Sequence, residues 1–588
     1  MDAPEGTSRR RLSAGQLPYP NHSLGDMAIL SNVDLQDDDI NKEDSKGNFI
    51  GGHLSRARQV VLVTCLMLGF LFSIVDTCIV SIPLITISDE LGNHTHAPWV
   101  ILSYLLTYMA FATGISQLSD IYGRRNLLLF SWIIFIAFSM GCGAATSMPA
   151  LIICRAFQGL GGSGLYSLAQ VSIVEVGPGH RPSVVGAMMG GTLAFAFICG
   201  PLLGGLITER ISWRWIFNIN VPFGLAVLGA LVVCWPTEPQ AAHIFSRSAF
   251  NSIDFVGGFS LLCGSGFLVY GIQQGGSEAA AWGDPEIVAA LSIAALSWVI
   301  FIGWEYLLAR QRFPHIAPIF PVRLATNRVY MSGLAVTLLT GFPFVPLTVI
   351  IPERFQIVYR NQPLTAGVHL LPMLGACALG SFLSGAICNK RNYTSYILMT
   401  ATSFQIIGLG LMSTLQGTET DIRSSYGFQT IFGLGAGLVF SSATILAAVN
   451  SAAENDLAVA NGAMAQVRVF GGCIGIATCT VIFNSHFNSL LHNDLTPEQF
   501  DQLHRSPSSA LNWDTSDYEM VRDVYAMAYP EQLKVMVYVA AFALLASFFT
   551  FEKNPTPIQA AVAVAKERLM KHHDSDIELN DRRSLQTR

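Results

Sequence analysis

Apolar residues gather into fourteen runs along this chain. They lie at 60–87, 98–118, 126–145, 149–172, 184–207, 215–235 and 253–271, then at 287–308, 329–351, 367–387, 395–415, 426–449, 460–483 and 533–551. Roughly 20 apolar residues carry an α-helix across the hydrocarbon of a bilayer. Lipid offers backbone N–H and C=O groups no partner, so these runs must satisfy their hydrogen bonds internally, as helices. The pattern predicts an all-α polytopic membrane protein, and an even number of spans returns both termini to one side.

The basic residues between the runs say which side that is. Arg124, Arg125, Arg181, Arg247, Arg310, Arg312, Arg323, Arg328, Lys390 and Arg391 follow even-numbered runs, whereas short loops after odd-numbered runs offer chiefly Arg210, Arg360 and Arg423. Lys and Arg accumulate in cytoplasmic loops, so both termini are expected in the cytosol. Asn93-His94-Thr95 then lies outside, which makes Asn93 a candidate glycosylation acceptor. The other two matches, at Asn21 and Asn392, fall on the cytosolic side.

Residues 1–57 read as a disordered cytosolic tail, because Arg9-Arg10-Arg11 and the acidic stretch from Asp34 to Asp44 bury too little apolar surface to fold alone. No cleavable signal peptide is expected, since the first apolar run starts near residue 60. Residues 552–588 form a similar tail in which Ile558 to Leu569 is a candidate interfacial helix. Residues 486–532 read as one long outer loop.

Composition fits this picture, with 51% hydrophobic and 13% charged residues and a mean hydropathy of +0.45. A net charge of -6 and a pI near 6.1 leave no concentrated basic face for nucleic acid. The eleven cysteines fall in or at the edges of apolar runs, where they read as packing residues and not as a disulfide framework. No Gly-x-x-x-x-Gly-Lys-Ser/Thr loop occurs, so no nucleotide is expected as energy source. Gly159-Leu160-Gly161-Gly162-Ser163-Gly164 fits Gly-x-Gly-x-x-Gly in letters, yet it lies inside an apolar run instead of after a strand. No cluster of metal ligands and no nucleophile with a base appears, so neither a cofactor, a metal ion nor an enzymatic activity is expected.

Between the second and third runs, Ser116-Gln117-Leu118-Ser119-Asp120-Ile121-Tyr122-Gly123-Arg124-Arg125 forms a tight charged turn. Gly123 sits where a side chain would obstruct the turn, Arg124 and Arg125 hold it in the cytosol, and Asp120 is left to bridge to a neighbouring helix end. A weaker echo, Gly385-Ala386-Ile387-Cys388-Asn389-Lys390-Arg391-Asn392, recurs between the second and third helix of a later six-helix set. This suggests a duplication. Residues 58–235 would form one six-helix bundle, 236–328 a linker with two inserted helices, and 329–551 the second bundle. Such halves hold substrate at their midplane interface.

The turn resembles the cytoplasmic signature of the major facilitator superfamily, with Ser116 in place of its first glycine. Asp76-Thr77-Cys78-Ile79-Val80 with Pro83 resembles the first-helix element of that superfamily's fungal fourteen-spanner drug:proton antiporter branch, and Arg155-Ala156-Phe157-Gln158-Gly159 its fourth-helix motif. Gly200-Pro201-Leu202-Leu203-Gly204-Gly205, with Gly186, Gly190 and Gly191 upstream, resembles the antiporter motif of the fifth helix. Trp213-Arg214-Trp215-Ile216-Phe217-Asn218-Ile219-Asn220-Val221-Pro222 resembles an interfacial element of the branch, with its aromatic residues at the outer boundary. Gln274-Gly275-Gly276 with Trp282, Pro352 with Phe355-Gln356, Ala366-Gly367 with Pro372, and Asp456 through Arg468 to Gly472 extend the resemblance. It implies two six-helix bundles plus two inserted helices, alternating access, and proton-driven export of small amphipathic organic molecules such as drugs, toxins or fungal secondary metabolites.

An ionised side chain at the centre of a spanning helix costs roughly 2.5–3.5 kcal/mol on insertion scales, so Asp76 and Arg155 need a reason to be there. Two readings stand for each. Asp76 either carries a proton or caps a local bend; Arg155 either biases that carboxylate or braces helices. Glu305 and Arg468 read as helix braces. Tyr104, Tyr166, Gln170, Phe195 and His369 are candidates for a cavity wall that stacks on or hydrogen-bonds an organic ligand. The expected partners are a small organic substrate, protons and the lipid bilayer. The plasma membrane is the expected location, with a vacuolar transporter of amino acids or other metabolites, or a non-transporting membrane sensor of the same fold, as alternatives.

Overall fold

The computed structural model describes residues 55–176, 182–235, 254–276, 281–310, 318–388, 391–415, 419–451, 457–491 and 515–557, with short pieces of 312–316 and 496–513. Most of the N-terminal tail, most of the C-terminal tail with the Ile558–Leu569 segment, and residues 236–253 of the linker lie outside the described residues.

Among the described residues, the first half contains α1 (Arg56–Ile79), α2 (Ala97–Tyr122), α3 (Arg124–Gly143), α4 (Met148–Val176), α5 (Pro182–Arg210) and α6 (Asn220–Cys234). Two helices follow, α7 (Phe255–Gly275) and α8 (Pro285–Ala309). The remainder are α9 (Arg328–Ile357), α10 (Pro363–Cys388), α11 (Thr394–Met412), α12 (Glu419–Ser451), α13 (Leu457–Leu491) and α14 (Thr515–Phe548). Thirteen of the helical segments are long and apolar enough to cross a membrane by length and composition. The other is α4, 29 residues long but carrying Arg155, Gln158 and a run of glycines.

Local chemistry sets the boundaries. The first apolar run is not one helix, because Pro83 has no N–H to continue a ladder; α1 stops at Ile79 and a short helix, Leu84–Leu91, begins after the proline. Asp254 caps α7 by accepting from the Gly257 amide at 2.7 Å, and Asn327 caps α9 by accepting from Val329 and Tyr330. Gly123 joins α2 to α3 with φ 88° and ψ 140°, a conformation nearly closed to other residues.

The stretch expected as a long outer loop, 486–532, is largely helical at both ends: α13 runs on to Leu491 and α14 starts at Thr515. Tyr518, Val521 and Tyr525 of this extension pack with Phe487, Ile85 and Ile357. Tyr518 also donates to the Ile357 carbonyl at 3.0 Å.

Helix packing repeats at an offset of eight. The pairs α1 with α5, α2 with α4, α3 with α4 and α3 with α6 recur as α9 with α13, α10 with α12, α11 with α12 and α11 with α14. The contacts between the halves obey the same relation, α5 against α10 and α13 against α2. The inserted pair packs α7 on α8, and α7 also touches α13 and α2.

Candidate functional site

Asp76 near the end of α1 and Arg155 near the start of α4 meet inside the first half, and each side chain is only 1% exposed. Arg155 Nη1 donates to Asp76 Oδ2. Its Nε donates to the Val100 carbonyl at 3.1 Å, and Nη1 also reaches Gln158 Oε1 at 2.8 Å. Gln158 then donates through Nε2 to Asp76 Oδ1 at 3.1 Å and to Ser139 Oγ at 2.8 Å. Asn220 Nδ2 completes the ring by donating to the same Asp76 oxygen at 3.2 Å. Five helices thus contribute to one closed polar network: α1, α2, α3, α4 and α6.

The guanidinium also lies 4.2 Å from the ring centre of Tyr104 and 5.5 Å from that of Phe217, over their negative faces. Tyr104, expected on a cavity wall, is instead fully buried here, its hydroxyl donating to the Ser73 carbonyl at 3.2 Å. Glycines make this approach possible. A Cβ at Gly159 would lie 2.4 Å from the Tyr104 carbonyl, and one at Gly162 would lie 2.3 Å from its hydroxyl. The glycines that imitate a nucleotide motif therefore seat one helix against another.

The fifth-helix glycines divide into two groups. A Cβ at Gly204 would sit 2.5 Å from the Ile79 carbonyl, and one at Gly200 would sit 2.9 Å from Cys78 Cβ, so this face lies on α1 directly after Asp76. Gly205 faces the other half: its Cβ would meet Leu364 Cα at 2.5 Å, while a Cβ on Gly367 would meet the Pro201 carbonyl at 2.7 Å. Pro201, which has no N–H to donate, lies at this seam. A Cβ at Gly190 would meet nothing within 4 Å outside its own helix backbone, and the Gly186 surroundings lie outside the described side chains.

Of the charged turn, Arg124 donates to Ser119 Oγ, and Arg125 Nη2 donates to the Val232 carbonyl at 3.1 Å, tying the start of α3 to the end of α6. The Asp120 side chain lies outside the described residues. Tyr166 stacks on Phe70 and meets Tyr108 edge-on. His369 Nδ1 hydrogen-bonds the Tyr426 hydroxyl at 2.6 Å and stacks on Phe355. Gln170 is half-buried, while Phe195 is 57% exposed on α5. The structure does not gather these four into one cluster. Asn93 caps the short turn after it, accepting from the His96 amide at 3.3 Å. Glu305 accepts from the Phe320 amide at 3.0 Å, and Arg468 lies over the Phe440 ring.

Sequence reasoning did not assign roles to Gln158, Ser139 or Asn220. Their signal was a polar side chain inside or beside an apolar run, the same one that marked Asp76 and Arg155. No group of three or more metal-ligating side chains occurs among the described residues.

The sequence model of the Major Facilitator Superfamily matches residues 65–476. The MFS-type transporter FPY5 of Fusarium mangiferae is 36% identical over 507 residues, covering 85% of this chain and 84% of that protein. The efflux pump FUS6 of Gibberella fujikuroi is 30% identical over 440 residues, covering 74% and 76%. A solved bacterial homologue of the human lysosomal transporter Spinster, in an inward-facing and unoccupied conformation, superposes with a TM-score of 0.58 at 13% identity, covering 85% of this chain and 100% of that one. This chain belongs to the Major Facilitator Superfamily and is a multi-pass membrane transporter rather than an enzyme.

Proposed function

We propose that this member of the superfamily is a proton-coupled exporter of small amphipathic organic molecules, acting at the plasma membrane with both termini in the cytosol. The observation that carries the reading is the sealed ring around Asp76. Taking two charges out of water costs several kcal/mol per ion, and a well-packed apolar pair would hold helices as firmly without that penalty. A protonatable carboxylate paired with a permanent cation does something an apolar pair cannot: it changes charge.

Protonation of Asp76 removes the ion pair and leaves Arg155 to its remaining acceptors, the Val100 carbonyl and Gln158. Hydrogen bonds to charged groups contribute about 1.5–3 kcal/mol each. One charge moved through roughly 100 mV supplies about 2.3 kcal/mol. One proton's passage thus supplies energy of the order of a single such bond, so the contacts of the ring must be exchanged for others and not simply lost when Asp76 is protonated. The ring lies beside the seam where Gly200 and Gly204 bear on Cys78 and Ile79, and the same helix meets the second half through Gly205. A change at Asp76 therefore has a short packed route to the contact between halves.

Export as the direction of transport draws on the relatives named efflux pumps, among them FUS6 and the rubrofusarin-specific pump aurT of Gibberella zeae, which is 26% identical over 425 residues. Tyr166, Gln170, Phe195 and His369 are separate candidates for contact with such cargo, offering aromatic and polar groups without forming one cluster. The test is reconstitution of the full-length protein in liposomes holding a pH-sensitive dye, with an imposed gradient and a panel of planar aromatic compounds. Cargo movement coupled to opposite proton movement supports the reading. Cargo movement indifferent to the gradient overturns antiport.

A further inference from the structure

The inserted pair holds two buried carboxylates that take no part in the ring around Asp76. Asp254, at the start of α7, and Glu305, near the end of α8, are each only 4% exposed. Asp254 Oδ1 accepts from the Gly257 amide and from Trp304 Nε1, both at 2.7 Å. Glu305 Oε1 accepts from the Phe320 amide at 3.0 Å, and the neighbouring Ile319 amide lies within reach of both carboxyl groups. One oxygen on each is left over. Asp254 Oδ2 and Glu305 Oε2 are buried and have no hydrogen-bond partner among the described residues.

Among the described residues no cation makes up for this. Arg310 turns to Tyr306, donating to its hydroxyl, and Arg328 donates to the Phe551 carbonyl at 3.0 Å. Arg312 and Arg323 are exposed, and none of the four pairs with either carboxylate. Two anions buried around one amide disfavour each other and lack the water that would solvate them. A divalent metal requires several oxygen ligands, and no group of three or more metal-ligating side chains occurs among the described residues. One proton removes a charge and supplies the missing donor, because a protonated carboxyl carries an O–H. The hydrogen bonds say which group takes it: Asp254, with two short donors on Oδ1, is favoured as the anion, which leaves Glu305 as the acid.

We propose that Asp254 and Glu305 form a second proton site, separate from the Asp76 ring, in which the pair holds one proton carried on Glu305. Glu305 grips the linker at Phe320, and Phe320 packs on Tyr330 of α9, so this proton fastens the inserted pair to the second half. The folded protein holds it more tightly than the unfolded chain does; the stability it contributes is present at low pH and is lost as pH rises through the titration of the pair. None of this depends on Asp76 carrying the coupling proton, so either idea can fail alone.

The experiment is an infrared pH titration of the purified full-length protein, read at the C=O stretch of protonated carboxyl groups. At about pH 7, where an ordinary glutamate is ionised, the difference between the native protein and Glu305→Gln should show one protonated carboxyl. Asp254→Asn removes the neighbouring charge and should move the titration of that carboxyl down by about one pH unit or more. The native melting temperature should fall as pH rises through the titration, and Glu305→Gln, which is neutral at every pH, should remove that slope. Asp76→Asn should leave the Glu305 signal in place. Should Glu305→Gln fail to purify as a single species, the shift in Asp254→Asn carries the test. A native spectrum that shows no protonated carboxyl against Glu305→Gln overturns the proposal, water then serving the two oxygens. So does a titration that Asp254→Asn leaves unmoved.

Discussion

Gln158 bridges Arg155 and Asp76: its carbonyl oxygen accepts from the guanidinium at 2.8 Å while its amide nitrogen donates to the carboxylate at 3.1 Å. The side chain lies three residues beyond Arg155, on the same face of α4, so one helix presents both groups to Asp76. Gln158→Leu removes a donor from a buried carboxylate and an acceptor from a buried cation. A loss of about 1–3 kcal/mol is expected, read as a lower melting temperature in detergent.

Replacing Arg155 is more severe. Arg155→Met leaves Asp76 buried without its cation, a situation that costs about 3–5 kcal/mol, and protein yield should fall sharply. Arg155→Lys keeps the charge but cannot serve Asp76, Gln158 and the Val100 carbonyl together. It should fold with reduced thermal stability, intermediate between the native protein and Arg155→Met. Equal melting temperatures for Arg155→Lys and the native protein would contradict the geometry.

Glycine substitutions in α5 should split by position. Gly204→Val places atoms where the Ile79 carbonyl lies 2.5 Å from the first added carbon. Cargo efflux should fall at least about tenfold, because packed cores do not absorb such overlap without displacement. Gly190→Ala meets nothing within 4 Å and should leave efflux unchanged while stabilising the helix by about 0.4–1 kcal/mol. Vesicle efflux assays and melting curves on the two variants check both halves of this prediction.

Gly123→Ala tests the turn. At φ 88° and ψ 140° a side chain costs about 1–3 kcal/mol, so either the melting temperature drops or the hinge between α2 and α3 relaxes. Limited proteolysis of that loop should be faster in the variant.

Much of this architecture was legible in the order of apolar runs, because lipid leaves a spanning segment few alternatives to helix. Run length says nothing of rotation about the helix axis, however. Asn220 sits among aromatic residues at the start of its run and reads as part of a boundary element, yet its amide points at Asp76. The start of α14 was missed for a related reason. Residues 515–532 are too polar to form an apolar run, but Tyr518, Val521, Tyr525 and Tyr529 recur every three or four residues and all are buried. That spacing marks an amphipathic helix packing on protein instead of lipid. Pro83, visible within the first run, was the sign that α1 ends early.

The charge on Asp76 is the centre of the account, and Asp76→Asn tests it most directly. Asparagine is nearly isosteric, accepts hydrogen bonds and cannot exchange a proton. In liposomes with an imposed pH gradient, the variant should lose cargo-coupled proton movement while still binding cargo. Proton movement and gradient-driven efflux at the native rate, at equal protein density, would contradict the assignment of Asp76 as the coupling residue.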